Sequence, residues 1–307
     1  NKLKYVTTKS FCGAGLRIIK EGRIGFSSTT DLRKPEKLVA NAIESAKFGQ
    51  SAAFQFPAHN NFPKIATFDQ KVVDYPIQQC VDIGKAAIEK ALSANPGYDC
   101  SVGFGKGQGK RRLMNSAGLD VSFSSTSFGI GIEILLIKEN SFLSIGEGEG
   151  AKYLVTDLDK HVNKALEGLK LAERELKIKT GNYPVVVTAK AMGNLLSTFE
   201  IGCSGKLVQK GASPLTNRLG EKIIDERVSI YDDAMIDMGD SSYPCDGEGT
   251  PSQRTPLFER GVLKNYLFDL QTAGIMKVKS TGNGSRGFSS QPSPGNSNVI
   301  VETGTMS

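Results

Sequence analysis

The residues best equipped for chemistry crowd into one stretch, Asp246–Asp269, which reads DGEGTPSQRTPLFERGVLKNYLFD. Its first half sets Asp246, Glu248 and Arg254 in a loop stiffened by Gly247, Gly249 and Pro251. Acids beside a fixed cation are the ingredients of a polar binding surface, and a loop carried on a rigid scaffold is a common way to present one. The plainer reading of the same loop is a solvated connection. Its second half is a hairpin: Thr255–Glu259 and Val262–Phe268 are β-prone runs, and Arg260-Gly261 between them forms the turn.

Other chemistry is narrowed by what the spacing lacks. Gly103–Arg112, GFGKGQGKRR, approaches a phosphate-binding loop. That motif requires glycine where Phe104 stands and Ser or Thr where Arg111 stands, so a basic hairpin tip is the better reading. Gly282–Gly287, GNGSRG, spells a dinucleotide fingerprint, but Gln291-Pro292-Ser293-Pro294-Gly295 follows where a helix should open. The chain has two histidines, His59 in a connecting segment and His161 on a helix, neither with ligands at metal spacing. His161 reads as a surface or boundary residue. Carboxylate pairs such as Asp232-Asp233 are plentiful, and sequence does not place them in a cleft.

The elements that position these residues are legible in outline. Leu16–Lys20 and Arg23–Ser28 flank a Glu21-Gly22 turn; Asp31 is expected to cap a helix that carries Leu38, Val39, Ala42, Ile43 and Ala46 inward. A second helix spans Pro76 to Ala94, ended by Asn95-Pro96-Gly97. Short β-prone segments, Tyr98–Phe104, Arg111–Asn115, Asp120–Ser125, Phe128–Ile137 and Ser141–Glu147, predict antiparallel neighbours. A third helix opens at Asp157, and Thr180-Gly181-Asn182 marks a domain boundary. Beyond it, Pro184–Thr188 reads as an apolar strand, Ala189–Phe199 as a short helix and Ser229–Asp233 as a strand. The expected class is α+β: residues 1–178 combine antiparallel strands with three helices, with 1–66 and 70–178 as possible subunits, and residues 179–307 form a β-rich domain with one short helix.

Composition excludes several classes. With 39% hydrophobic and 23% charged residues the chain is that of a globular protein. Its densest apolar run, Ile130–Ile137, is broken by Gly131 and Glu133, far short of the about 18 residues a membrane span needs. A net charge of +6 is scattered along the chain and argues against nucleic acid as a partner. Five cysteines at scattered positions form no disulfide framework, which suits a reducing cytoplasm. The first residue is Asn1, and the chain reads as an excerpt of a longer protein.

Several blocks in order carry a family resemblance. DGEGTPSQRTPLFERGVLKNYLFD, GLRIIKEGRIGFSSTTDL, GASPLTNRLGEKIIDERVSIYDDA and STGNGSRGFSSQPSPGNSNVIVETG resemble the TldD/PmbA family, once called modulators of DNA gyrase. In that family TldD-type members carry HExxxH on the helix corresponding to Ala189–Cys203, two His as metal ligands and the Glu as base. Here Leu195–Leu215 reads LLSTFEIGCSGKLVQKGASPL, with Glu200 its only acid and no histidine. Its small-residue end, Gly202-Cys203-Ser204-Gly205, and the QPSPGNSN tail resemble the PmbA (TldE) branch instead.

The resemblance implies a non-catalytic subunit that pairs with a TldD-like subunit, which supplies zinc and cleaves unfolded peptides. This chain would hold no cofactor, and a homodimer is the alternative assembly. A peptidase in its own right, or a regulator binding gyrase or nucleic acid, are the competing readings. The residues expected to face peptide or partner are Glu200, Asp246, Glu248, Arg254, Asn283 and Arg286.

Overall fold

The computed structural model describes residues 2–58, 61–138, 141–173 and 176–304, so His59 lies outside the described residues. The chain opens with a hairpin of β1 (Ala14–Lys20) and β2 (Arg23–Thr29). Glu21 and Gly22 both take positive φ, 51° and 74°, the twist that a two-residue hairpin turn requires. Helix α1 (Pro35–Ala46) follows, with proline in its first turn and Ala42 and Ala46 buried. Asp31 does not cap it: Lys34 occupies the N-cap without a side-chain bond, and Asp31 binds Arg33 instead. Val39, expected inward, is exposed. A side chain on Gly25 of β2 would sit 2.1 Å from the Ala42 carbonyl, so that glycine lets strand and helix touch.

Short α2 (Gln70–Asp74) and long α3 (Ile77–Ala94) precede a three-stranded sheet, β3 (Tyr98–Met114), β4 (Asp120–Lys138) and β5 (Ser141–Ala151), paired antiparallel in that order. Phe128, Ile130, Ile132 and Ile134 alternate along β4 onto one face. There they pack against Ala87 and Ala91 of α3 and Val162, Ala165 and Leu169 of α4 (Asp159–Ala172). The sequence divides this ribbon into five short strands, but the glycines that suggest breaks lie within pairs, Gly103 opposite Gly131 and Gly105 opposite Gly129. None of the four has positive φ, so each is extended backbone lacking only a side chain. Gly103–Arg112 is therefore mid-strand. The true tip lies at 115–119, where Asn115 Oδ1 accepts from the amides of Ala117 and Leu119 and Gly118 turns at φ 91°. His161 on α4 is buried, contrary to the boundary expectation, with Glu149 at 3.4 Å.

After α4 the segment 183–188 runs without strand partners, and Val185 and Val186 are 76% and 94% exposed. The strand expected at Pro184–Thr188 is absent because β-branched residues need a neighbouring strand to pack upon, and among the described residues none pairs with this segment. Helix α5 (Ala189–Gly202), capped by the Thr188 hydroxyl, leads into α6 (Gly205–Gln209). Then β6 (Ile230–Asp233), β7 (Arg254–Glu259) and β8 (Val262–Leu263) join one sheet. The predicted turn holds, with Arg260 at φ 48° and Gly261 at 77°. Helix α7 (Leu270–Met276) is capped by Asp269, whose carboxylate accepts from the Thr272 amide. A small ribbon of β9 (Gly284–Ser285) and β10 (Ser293–Pro294) follows, and β11 (Val299–Val301) adds to β6 to complete the order β11-β6-β7-β8. Leu257, Phe258, Leu263, Leu267 and Cys203 centre the core here.

The molecule is thus α+β with antiparallel sheets, and α2, α6 and α7 are short helices that sequence periodicity did not announce. Among the described residues no helix is long and apolar enough to cross a membrane. Two contacts fix the site. The tip of the β3–β4 hairpin brings Leu113 and Leu119 onto Cys245 beside the Asp246 loop. The Gln271 side chain of α7 accepts from the Ala53 amide and donates to the Ser51 carbonyl, tying the segment after α1 to α7.

Candidate functional site

The loop between Cys245 and Pro251 is folded inward, unlike the solvated connection that its plainer reading makes of it. Asp246 and Glu248 are 2% and 4% exposed. Asp246 accepts the amides of Glu248 and Thr250 on Oδ1, each at 2.9 Å, and the amide of Gly284 on Oδ2 at 2.8 Å. Burial and the adjacent Glu248 push its carboxyl up to about 7, against these backbone bonds. Gly284 must be glycine, since a side chain would lie 2.5 Å from Glu248 Oε2 and 2.9 Å from Asp246 Oδ2.

Glu248 accepts the Leu270 amide on Oε2 at 2.7 Å, at the start of α7, and meets Arg17 of β1 at 2.5 Å on Oε1. Burial raises its carboxyl, and Arg17 pulls it back. The Arg17 guanidinium also lies 4.5 Å from the Phe54 ring and 5.4 Å from the Phe56 ring. Arg286 runs across Gly247, where a side chain would come within 2.7 Å of its Cγ. Desolvation, and then the charge of Arg17, lower the Arg286 guanidinium from its ordinary value. These groups border a cavity of about 660 Å³ between β1 and the β3–β4 tip, lined by Arg17, Glu248, Arg286, Phe56, Met114 and Asn115 among others. That volume is ordinary for a ligand site, about 300–1,000 Å³.

The structure thus brings Asp246, Glu248 and Arg286 together and disperses the rest. Asn283 is buried next door, donating to Asp232 Oδ2 at 2.7 Å and to the Gly295 carbonyl. Ser297 binds the same Asp232 through its amide and hydroxyl. Glu200 on α5 is half-buried, its carboxyl raised by desolvation and by the nearby Asp232. Arg254 stands apart, its guanidinium 3.5 Å from the Tyr231 ring and paired with Glu302 at 2.9 Å in the open. Sequence reading missed Arg17, although a lone arginine between Leu16 and Ile18 in a strand must face away from both neighbours.

The end of α5 is the place to ask whether a metal fits. Setting Glu200 as the acid of HExxxH puts the two histidine places at Phe199 and Ser204. Phe199 packs edge-on against Phe258, with centroids 5.6 Å apart, and Ser204 bridges to Leu267. Cys203 between them is fully buried in the apolar core, its thiol pushed up to about 12 by desolvation, so it stays protonated. Asp232 is already committed to Asn283 and Ser297. These residues do not fit a zinc ion, which needs several deprotonated or imidazole donors around one point.

This arrangement belongs to a known class. Models of the PmbA/TldA metallopeptidase domain 1, central domain and C-terminal domain match residues 1–46, 71–176 and 180–307. The chain belongs to the PmbA/TldD family. An uncharacterized protein of Methanocaldococcus jannaschii is 32% identical over 293 residues, covering 94% of this chain and 68% of that protein. A metalloprotease PmbA homolog of Haemophilus influenzae is 23% identical over 287 residues, covering 87% and 61%. The crystal structure of TldE from Thermococcus kodakarensis superposes with a TM-score of 0.83 at 22% identity over 96% of this chain and 73% of that one, a likeness of fold.

Proposed function

We propose that this chain is a PmbA/TldE-type subunit that shapes a peptide-binding chamber and leaves bond cleavage to a TldD-type partner holding zinc. The observation that carries this reading is the occupancy of the two histidine places by Phe199 and Ser204, one packed on Phe258 and the other paired with Leu267. Without imidazoles there the chain has no means of holding a metal at Glu200, and so none of lowering the pKa of a bound water.

Two further features support it. Among the described residues strand β1 pairs only with β2, and Gly15–Ile19 border the cavity, which suits an extended peptide held by main-chain hydrogen bonds. Val185, Val186, Leu195 and Ile201 expose apolar surface on and before α5, which suits burial against a partner subunit. The partner is a TldD-like chain, with a homodimer in its absence, and the compartment is the cytoplasm. Nucleic acid is no partner in this reading.

The test is co-purification from native cells, with metal and peptide hydrolysis measured on each component. Zinc and chelator-sensitive cleavage of an unstructured peptide should belong to the complex and the partner. A chain that cleaves by itself, with zinc bound, overturns the proposal.

A further inference from the structure

Gly15, Leu16, Arg17, Ile18 and Ile19, consecutive in β1, all border the one cavity. Successive side chains of a strand point to opposite faces, so five residues in a row can border one space only along the strand's edge. What the cavity meets there is backbone: a row of amides and carbonyls with no strand beyond it among the described residues, where β1 pairs with β2 alone. Such an edge binds extended chain without regard to sequence.

The polar groups around that edge do not balance. Arg17 is matched to Glu248, and Asp246 is matched to three backbone amides. Arg286 lines the same space, half-buried, and among the described residues it makes no hydrogen bond and no ion pair. Arg17 adds a buried Nε that likewise has no acceptor. The charges of Arg17 and Arg111 act against that of Arg286, while Glu248 and Asp246 offset it from a distance. A half-buried guanidinium that lines a cavity with no partner among the described residues keeps its N–H groups free for a ligand, and the ligand that suits them is an anion of matching shape, above all a carboxylate taken by two parallel N–H groups.

We propose that the cavity is a carboxylate subsite at the end of the β1 edge, where Arg286 takes the free carboxylate of an extended peptide paired along Gly15–Ile19. This rests on the peptide-binding reading above and adds what that reading lacks, a chemical preference. The carboxylate comes from the peptide's C-terminus or from an acidic side chain, since either presents the same two oxygens. Asn115 at the hairpin tip lines the same cavity.

The experiment measures binding of three probes to the purified protein by calorimetry: acetyl-Ala-Ser-Ala-Ser-Ala as the free acid, the same peptide as its C-terminal amide, and an amide ending in Glu. The free acid is expected to bind about tenfold or more tighter than the plain amide, the size of one charge-assisted contact. Arg286→Gln should erase that preference, while Arg286→Lys keeps part of it. If the Glu-ended amide matches the free acid, a side-chain carboxylate serves as well, which supports the subsite; if it matches the plain amide, the site takes the C-terminus alone, which also supports it. Equal binding of all three peptides, or a preference that survives Arg286→Gln, overturns the subsite and leaves the peptide reading standing. Failure of every peptide to bind overturns the peptide reading and the subsite with it. Thermal melts of both variants establish that each is folded, and the lysine variant carries the test if the glutamine one is not.

Discussion

Arg17 and Glu248, 231 positions apart in the chain, meet at 2.5 Å with side chains 5% and 0% exposed. The pair bolts the first hairpin to the loop that opens the Asp246–Asp269 stretch. Because both charges are out of water, breaking the pair from one side leaves the other uncompensated. Arg17→Met is expected to cost about 3–5 kcal/mol of stability. The double variant Arg17→Met/Glu248→Met should recover most of that loss, and urea denaturation of the single and double variants measures the coupling. Additive losses would show that the pair contributes nothing as a pair.

Asp246 gives the protein a pH signature. Its carboxyl is pushed from 3.8 to about 7 in the fold, so between those values the folded state holds a proton that the unfolded chain has released. The stabilisation is complete below 3.8 and is lost as pH rises through about 7. Asp246→Asn removes this titration. The stability of the natural protein relative to the variant should therefore fall between about pH 4 and about pH 7 and level off above, as read from urea midpoints at each pH. A difference that grows with pH would reverse the sign and refute the assignment.

Two glycines, one inside α5 and one at the start of α6, predict opposite outcomes. Gly193 in α5 has nothing within 4 Å of where a side chain would start, so Gly193→Ala should stabilise by about 0.5–1 kcal/mol. Gly205 at the start of α6 would place a side chain 2.3 Å from the Phe268 ring and 2.6 Å from the Leu267 carbonyl, while its own amide binds that carbonyl. Gly205→Ala should cost about 1–3 kcal/mol. Thermal melts of the two variants decide it.

Arg254 and Glu302 supply the contrast to the buried pair. Both side chains are 49% exposed, so Glu302→Ala should change stability by about 0–1 kcal/mol, an effect that added salt diminishes further. A loss as large as that of Arg17→Met would mean that this pair is doing more than decorating a surface.

Much of the fold was legible because local chemistry and tertiary structure agree. Glu21-Gly22 and Arg260-Gly261 announce their turns by type, and both take the positive φ that those turns need. The β4 core face is visible as alternation from Phe128 to Ile134. Glycine misled the reading of β3 and β4, since Gly103 and Gly105 mark positions without a side chain inside a pair, and a breaker and a bare strand look alike in one dimension. The site itself was half legible. Asp246, Glu248 and Arg286 are conspicuous by type, but their burial is decided by Arg17, by the amides of Gly284 and Leu270, and by Leu119 from the hairpin tip, all distant in sequence. Arg254, in the same conspicuous loop, leaves it for the ring of Tyr231 because β7 carries it away.

The central claim is that the end of α5 has traded metal donors for packing, and zinc content measured together with hydrolysis tests it most directly. The purified protein is incubated with zinc, desalted, analysed for bound metal and offered an unstructured peptide with and without chelator. The account predicts no stoichiometric zinc and no chelator-sensitive cleavage, because Phe199 and Ser204 offer no imidazole beside Glu200. One bound zinc per chain, with cleavage that chelator abolishes and Glu200→Gln removes, would contradict it.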